Sequence, residues 1–191
     1  MTNGTDASIK PFAAVSAWEQ WLAEHHNTEH GVWLQIAKKV SGIPTVSYDE
    51  ALDVALCYGW IDGQRKSFDR DYFLQRFTPR RPKSLWSKRN VAKALQLINS
   101  ARMQPTGLAQ VEAAQQDGRW HAAYDSQNGM VIPEDFVLAV RGNEQAGAFF
   151  RTLNKTAHYA IGWRLQTAKT AEIRTRRFRL LLEMLANGQM P

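Results

Sequence analysis

From Trp60 onward the hydrophobic period changes from helical spacing to two, over two short segments, Ile61 to Phe68 and Tyr72 to Thr78, joined around Asp69 and Arg70. A period of two puts successive side chains on opposite faces of an extended chain, so the pair predicts a β-hairpin. On its second segment Phe73 and Phe77 share one face, while Tyr72, Leu74 and Arg76 share the other. Pro79 and Pro82 then bracket Arg80 and Arg81. Proline lacks an N–H and fixes its φ, which rules out a helix interior or central strand and predicts an exposed basic loop.

Helical patterns surround the hairpin. Ser16 with Glu19 reads as a capping box for a first helix presenting Trp18, Trp21 and Leu22. The alternation of Val32, Leu34 and Ile36 predicts a strand. A second capping box, Ser47 with Glu50, opens a helix carrying Ala51, Leu52, Ala55 and Leu56 on one side and stopping near Gly59. After the hairpin come helices from Ser87 to about Arg102, with Val91, Ala94, Leu95 and Ile98 inward, and from Pro105 to about Asp117. The stretch 125–133 has Gly, Asn and Pro without periodicity and reads as a linker. Helices follow over 134–140, 144–153, 157–166 and 171–186, the last with Ile173, Leu180, Leu181, Met184 and Leu185 as its inward stripe. The expected fold is α+β: a small antiparallel sheet with a hairpin packed by helices, then a C-terminal helical segment. The expected division is a body over 1–125, a linker over 126–133 and the helical segment over 134–191.

The charge is local. Nine Lys and Arg residues face three Asp residues between Trp60 and Asn90, an excess equal to the formal net charge of +6 of all 191 residues. A concentration of Arg among aromatic residues points to an anionic partner, a small molecule or a nucleic acid. The candidate surface comprises Trp60, Arg65, Lys66, Arg76, Arg80, Arg81, Trp86, Lys88 and Arg89, with Trp60 and Trp86 as apolar walls. Ser87 reads as an N-cap, with Trp86 and Val91 as a hydrophobic staple, which puts Lys88 and Arg89 at the first two helical positions. Cations there oppose the positive end of the helix dipole, by roughly 0.3–1 kcal/mol each when exposed, and an anion would relieve the conflict. The alternative is that both side chains extend into water while their stems cover Trp86. A second basic cluster, eight cations against Glu172 between Arg151 and Arg179, offers Lys155, Tyr159, Lys169, Arg174 and Arg177 as another anion-facing wall, or as an ordinary solvated helix face.

Other chemistry is sparse. Asp62, Asp69 and Asp71 lie near Arg65; Asp62 suits general acid–base work or a plain pairing with a neighbouring Arg, and the other two suit a turn. His25, His26 and His30 lack metal-site spacing and read as surface residues, so neither metal nor cofactor is expected. No G-x-G-x-x-G, Walker A, G-x-S-x-G or C-x-x-C string occurs. The single Cys57, in the apolar half of its helix, reads as a buried small hydrophobe and fits a reducing compartment. With no apolar leader and no long apolar run, the reading is a cytoplasmic protein without membrane insertion, of undetermined oligomeric state.

Two long strings carry a resemblance: ALCYGWIDGQRKSFDRDYFLQRFTPRRPKSLWSKRN from Ala51 to Asn90, and FFRTLNKTAHYAIGWRLQTAKTAEIRTRRF from Phe149 to Phe178. In these the chain resembles the YdeI/OmpD-associated family, also called OmdA or bacteriocin-protection proteins. Ile173 and Ala171 depart from the Thr and Pro expected there. The resemblance implies an α+β body with a C-terminal helical segment and a role in resistance to antimicrobial peptides, and it transfers no catalytic residue. The leading expectation is therefore a stress or bacteriocin resistance protein that binds an anionic ligand. Nucleic-acid binding through the same surface is the first alternative. A small-molecule enzyme acting on a phosphate- or carboxylate-bearing substrate, with Asp62 beside Arg65, is the second.

Overall fold

A computed structural model describes residues 8–126 and 129–191. They divide into two units, the first formed by the described residues up to Ser84 with Asn90–His121, the second by Leu85–Arg89 with Ala122–Pro191.

The first unit is built on a four-stranded sheet in the order β1-β2-β4-β3. Strand β1 (Ile9–Pro11) leads into helix α1 (Val15–His25), and β2 (Val32–Ala37) into helix α2 (Tyr48–Cys57). The hairpin follows as β3 (Trp60–Ser67) and β4 (Tyr72–Pro79). The β1 pairing is parallel and the other two are antiparallel, so the sheet is mixed, not purely antiparallel as expected. Three residues are too few to show a period, which is why β1 escaped the sequence reading.

The alternation read from the sequence sets the two faces. Val32 pairs with Phe77, Leu34 with Gln75 and Ile36 with Phe73, and all six side chains are buried on one face. Trp18 of α1 closes on that face, its ring 5.7 Å from Phe77. Gln75 is the polar exception, and a register shift explains it. The β3 ladder is irregular between Asp62 and Arg65, and Gln75 Nε2 donates to the carbonyl oxygens of Gly63 (3.0 Å) and Gln64 (3.2 Å) there. The amide supplies the partners that a bulge withdraws from a ladder.

The Ser47–Glu50 capping box forms as expected. The Ser16–Glu19 box does not: α1 starts a residue earlier, at Val15, behind Ala14, which makes no side-chain cap. Helix α3 (Lys88–Asn99) buries Asn90, Ala94 and Leu97, and Leu95, expected inward, is exposed. Helix α4 (Pro105–Gln116) comes against the end of α2 at Gly107, where an added Cβ would meet the carbonyl oxygens of Cys57 and Leu56. Only a residue without a Cβ permits that approach.

In the second unit, α5 (Glu134–Arg141), α6 (Glu144–Thr152), α7 (Lys155–Gln166) and α8 (Ala171–Ala186) enclose a core of Phe136, Val140, Ala146, Ile161, Leu165, Leu181 and Leu185. Asn143, Asn154 and Thr170 cap α6, α7 and α8 by accepting backbone N–H groups. Leu180, assigned to the inward stripe of α8, is instead half exposed. Among the described residues no helix is long and apolar enough to cross a membrane.

Candidate anion-binding site

The cations of the hairpin do not converge. Arg65 pairs with Gln75 and Lys66 with Leu74, so these adjacent residues project to opposite faces of the sheet. The Arg65 guanidinium lies 3.8 Å from the centre of the Phe73 ring. Lys66 and Arg76 lie over Trp33 on the other face, at 4.5 and 5.8 Å. Each cation covers an aromatic ring, a contact worth about 0.5–1 kcal/mol at an exposed site. Asp62 accepts a hydrogen bond from the Tyr48 hydroxyl at 2.8 Å.

Two features of the expected surface are corrected. Trp60 and Trp86 are only 1% and 2% exposed, so neither is a wall of an open surface. Trp60 packs edge-on against Trp18 and Trp21, and its Nε1 donates to the carbonyl of His26 at 3.1 Å. Arg80, assigned to an exposed loop, is buried: the chain is still paired there, its backbone N–H donating to the Gly59 carbonyl (3.0 Å) directly after Pro79 ends β4. Arg81, next along, is exposed as expected.

Helix α3 begins one residue after Ser87, and the conflict between its first cations and the helix dipole is resolved within the chain. Lys88 donates its N–H to the Tyr124 carbonyl (2.8 Å) and places Nζ 2.6 Å from Asp125 Oδ1. Arg89 follows, half-buried. Asp125 also accepts from Gln166 Nε2 at 2.7 Å and from the N–H of Val131 at 3.3 Å, and its own N–H donates to Gln166 Oε1 at 3.0 Å. Burial resists ionisation of this carboxyl, yet the hydrogen bonds from Lys88, Gln166 and Val131 prevail and hold its pKa below the ordinary value. Asp125 is thus the anion at this helix start. The sequence reading missed it because Asp before Ser, Gln, Asn and Gly resembles any turn former.

In the second basic cluster, Arg174 pairs with Asp135 at 2.8 Å. Lys155 and Lys169 are exposed, and Tyr159 is half-buried, its phenol pKa raised by that burial. Arg177 Nη1 donates to the carbonyl of Arg164 at 2.7 Å, capping the last turn of α7.

That bond ties α8 to α7 along the edge of a cleft. Trp163, Arg164, Arg176, Arg177, Leu180 and Leu181 line it around a volume of about 420 Å³, and none of them is acidic. Trp163 is 36% exposed, and its ring meets Tyr124 edge to face at 6.4 Å. Of these six residues only Arg177 was among the candidates. Trp163 and Arg164 were legible only as the pair that follows Gly162, Trp163 turned away from buried Ile161 and Leu165 by helical spacing. A second hollow, of about 610 Å³ beside α8, mixes Glu172 and Glu183 with Arg176 and Arg179 and selects no sign of charge. The lining of the α7–α8 cleft carries arginines and no carboxylate.

Among the described residues no three His, Cys, Asp or Glu side chains cluster to hold a metal ion. His25 and His26 each direct Nδ1 to the backbone carbonyl four residues earlier, at 2.8 Å. A carbonyl only accepts, so Nδ1 is the donor in both bonds.

Residues 10–110 match a family model described as Domain of unknown function (DUF8412). Residues 129–188 match the OmdA model, Bacteriocin-protection, YdeI or OmpD-Associated, which bears out the resemblance for the C-terminal string. The Ala51–Asn90 string lies within the first model instead. No curated protein and no solved structure matches the chain.

Proposed function

The chain belongs to the family described as Domain of unknown function (DUF8412) and carries a bacteriocin-protection, YdeI or OmpD-associated segment at residues 129–188, and on that premise we propose that it is a cytoplasmic bacteriocin-resistance protein that binds an anionic ligand. The observation that carries this reading is the α7–α8 cleft, where three arginines and a partly exposed tryptophan line one concavity without a carboxylate. Its volume of about 420 Å³ lies in the range of small-molecule sites. A ligand with a phosphate or carboxylate and a planar or apolar body fits: the guanidinium groups take the charge, and Trp163 with Leu180 takes the rest. A cationic peptide does not fit, since it would meet like charge. Protection therefore runs through the anion and not through capture of the peptide.

The test is thermal stabilisation of the full chain by pyrophosphate, adenosine monophosphate and citrate. Adenosine monophosphate should stabilise most, because it combines charge with a stacking face. The double variant Arg164→Glu, Arg176→Glu should lose that stabilisation while keeping its circular dichroism spectrum. If none of the three anions raises the melting temperature, the cleft is not an anion site. A retardation assay at two salt concentrations tests the nucleic-acid reading, in which affinity falls with a log–log slope of roughly −0.9 per neutralised duplex phosphate. In the enzymatic reading Asp62 acts beside Arg65: Asp62 engages Tyr48, and the register aligns Asp62 with Phe77 and Arg65 with Gln75, which lie on one face of the sheet.

A further inference from the structure

The end of the first unit's sheet carries an unusual surface made by two loops. After β2 the chain enters a single 3-10 turn, Lys39–Ser41, and the β3–β4 hairpin turns back around Asp69 and Arg70. Lys38 joins the two: its N–H donates to the Asp71 carbonyl at 2.7 Å, and its Nζ donates to the carbonyls of Asp69 (2.7 Å) and Arg70 (3.0 Å). The first loop is further fixed by Ser41, whose Oγ donates to the Lys38 carbonyl (2.8 Å) and accepts from the Ile43 N–H (3.3 Å). On these tied loops Val40 is 93% exposed, Phe68 48% and Ile43 38%.

Exposed cations surround them: Lys39, Lys66 and Arg70, with half-buried Lys38 between the loops. The acids at this end are Asp69 and Asp71, and the Asp69 carboxylate is committed to its own turn, accepting from the N–H groups of Asp71 (2.8 Å) and Tyr72 (2.7 Å). The result is an apolar point of aliphatic and aromatic side chains in a positive collar, held by backbone hydrogen bonds. Phe68 offers a base one π face, but Val40, the most exposed of the three, and Ile43 offer none, so nucleic acid uses the collar and leaves most of the point in water. An anionic bilayer surface uses both, since acyl chains and headgroup phosphates are adjacent there.

We infer that this end of the sheet is a peripheral docking surface for an anionic lipid bilayer, with Val40, Ile43 and Phe68 seated at the headgroup layer and Lys39, Lys66 and Arg70 on the lipid phosphates. Nothing crosses the membrane in this arrangement, and the α7–α8 cleft takes no part in it. The experiment is co-sedimentation of the full chain with phosphatidylcholine vesicles with and without phosphatidylglycerol. Binding is expected only with phosphatidylglycerol, should weaken as salt rises, and should fall about tenfold in Val40→Asp and about fivefold in Lys39→Gln. Both residues are exposed, so circular dichroism should report intact folding in each variant. Equal binding to both vesicles, no binding to either, or binding unchanged by Val40→Asp overturns the inference. So does self-association without lipid that Val40→Asp abolishes, which assigns the point to a second copy. Oligonucleotide binding lost in Lys39→Gln but kept in Val40→Asp, with no vesicle binding, assigns the collar to nucleic acid.

Discussion

Replacing Asp125 by alanine should destabilise the second unit by about 3 kcal/mol, most of it from hydrogen bonds to the carboxylate and little from the ion pair. The Lys88 side chain is 67% exposed, so its attraction to Asp125 acts largely through water and contributes at most about 1 kcal/mol. Gln166 is different. Its Nε2 donates to the carboxylate of a side chain only 11% exposed, and a hydrogen bond to a charged acceptor contributes about 1.5–3 kcal/mol. The 3.3 Å bond from Val131 lies at the weak end, and Gln166 keeps a second acceptor in the Val131 carbonyl at 2.8 Å, which limits the loss.

Urea unfolding at neutral pH, followed by far-ultraviolet circular dichroism, measures the change, with an unaltered denaturant slope as the check that only stability moved. The isosteric Asp125→Asn separates charge from shape. The folded carboxyl has a depressed pKa, so its stabilisation is full above the unfolded value of about 3.9 and disappears as pH falls through the folded value. The stability gap between the native chain and Asp125→Asn should therefore be constant from neutral pH down to about 4 and close below it. A loss under about 1 kcal/mol for Asp125→Ala, or a gap that persists undiminished in acid, refutes the assignment of Asp125 as the anion of this helix start.

Gly107→Ala should cost about 2–3 kcal/mol despite alanine's better helix propensity, because the new methyl meets the Leu56 carbonyl oxygen at 2.7 Å and α4 must withdraw from α2; a urea midpoint at or above that of the native chain excludes this packing. Cys57 is fully buried and its thiol pKa is pushed up to about 11, so alkylation by iodoacetamide at pH near 8 should proceed only at the rate of opening and accelerate in urea; complete labelling of the native chain on mixing contradicts that burial.

What the sequence disclosed followed from the reach of each signal. Period two located β2 and the hairpin and sorted Phe73 and Phe77 from Leu74 and Arg76, because alternation is a property of the strand itself. The Ser47 capping box formed because it needs only four consecutive residues. The Ser16 box failed because its pattern is equally compatible with a helix that starts at Val15. Strand β1 depends on a neighbour, β2, more than twenty residues away, and no local pattern records that pairing. Arg80 was misplaced for the same reason: its backbone is paired with Gly59, distant in sequence but opposite it at the open end of the hairpin. The α7–α8 cleft needs Arg164 from one helix and Arg176 from another, and a linear cluster does not show which of its members meet.

Charge density along a sequence measures proximity in the chain, whereas a site requires convergence in space. On a strand these oppose each other, since alternation sends adjacent residues to opposite faces, and Arg65 and Lys66 end on different rings. At a helix start a cation draws its counter-ion from the chain, as Lys88 does from Asp125. Convergence arises where two helices meet with their polar edges on the same side, so in the second cluster three arginines of α7 and α8 line one cleft without a carboxylate. The first cluster contributes in another way: it stays dispersed, and through Lys66 and Arg70 it gives a positive rim to the end of the sheet where Val40 and Phe68 stand in water. Dispersed cations suit a fluid, laterally averaged lipid surface, whereas a discrete small anion requires the fixed fork of neighbouring guanidinium groups.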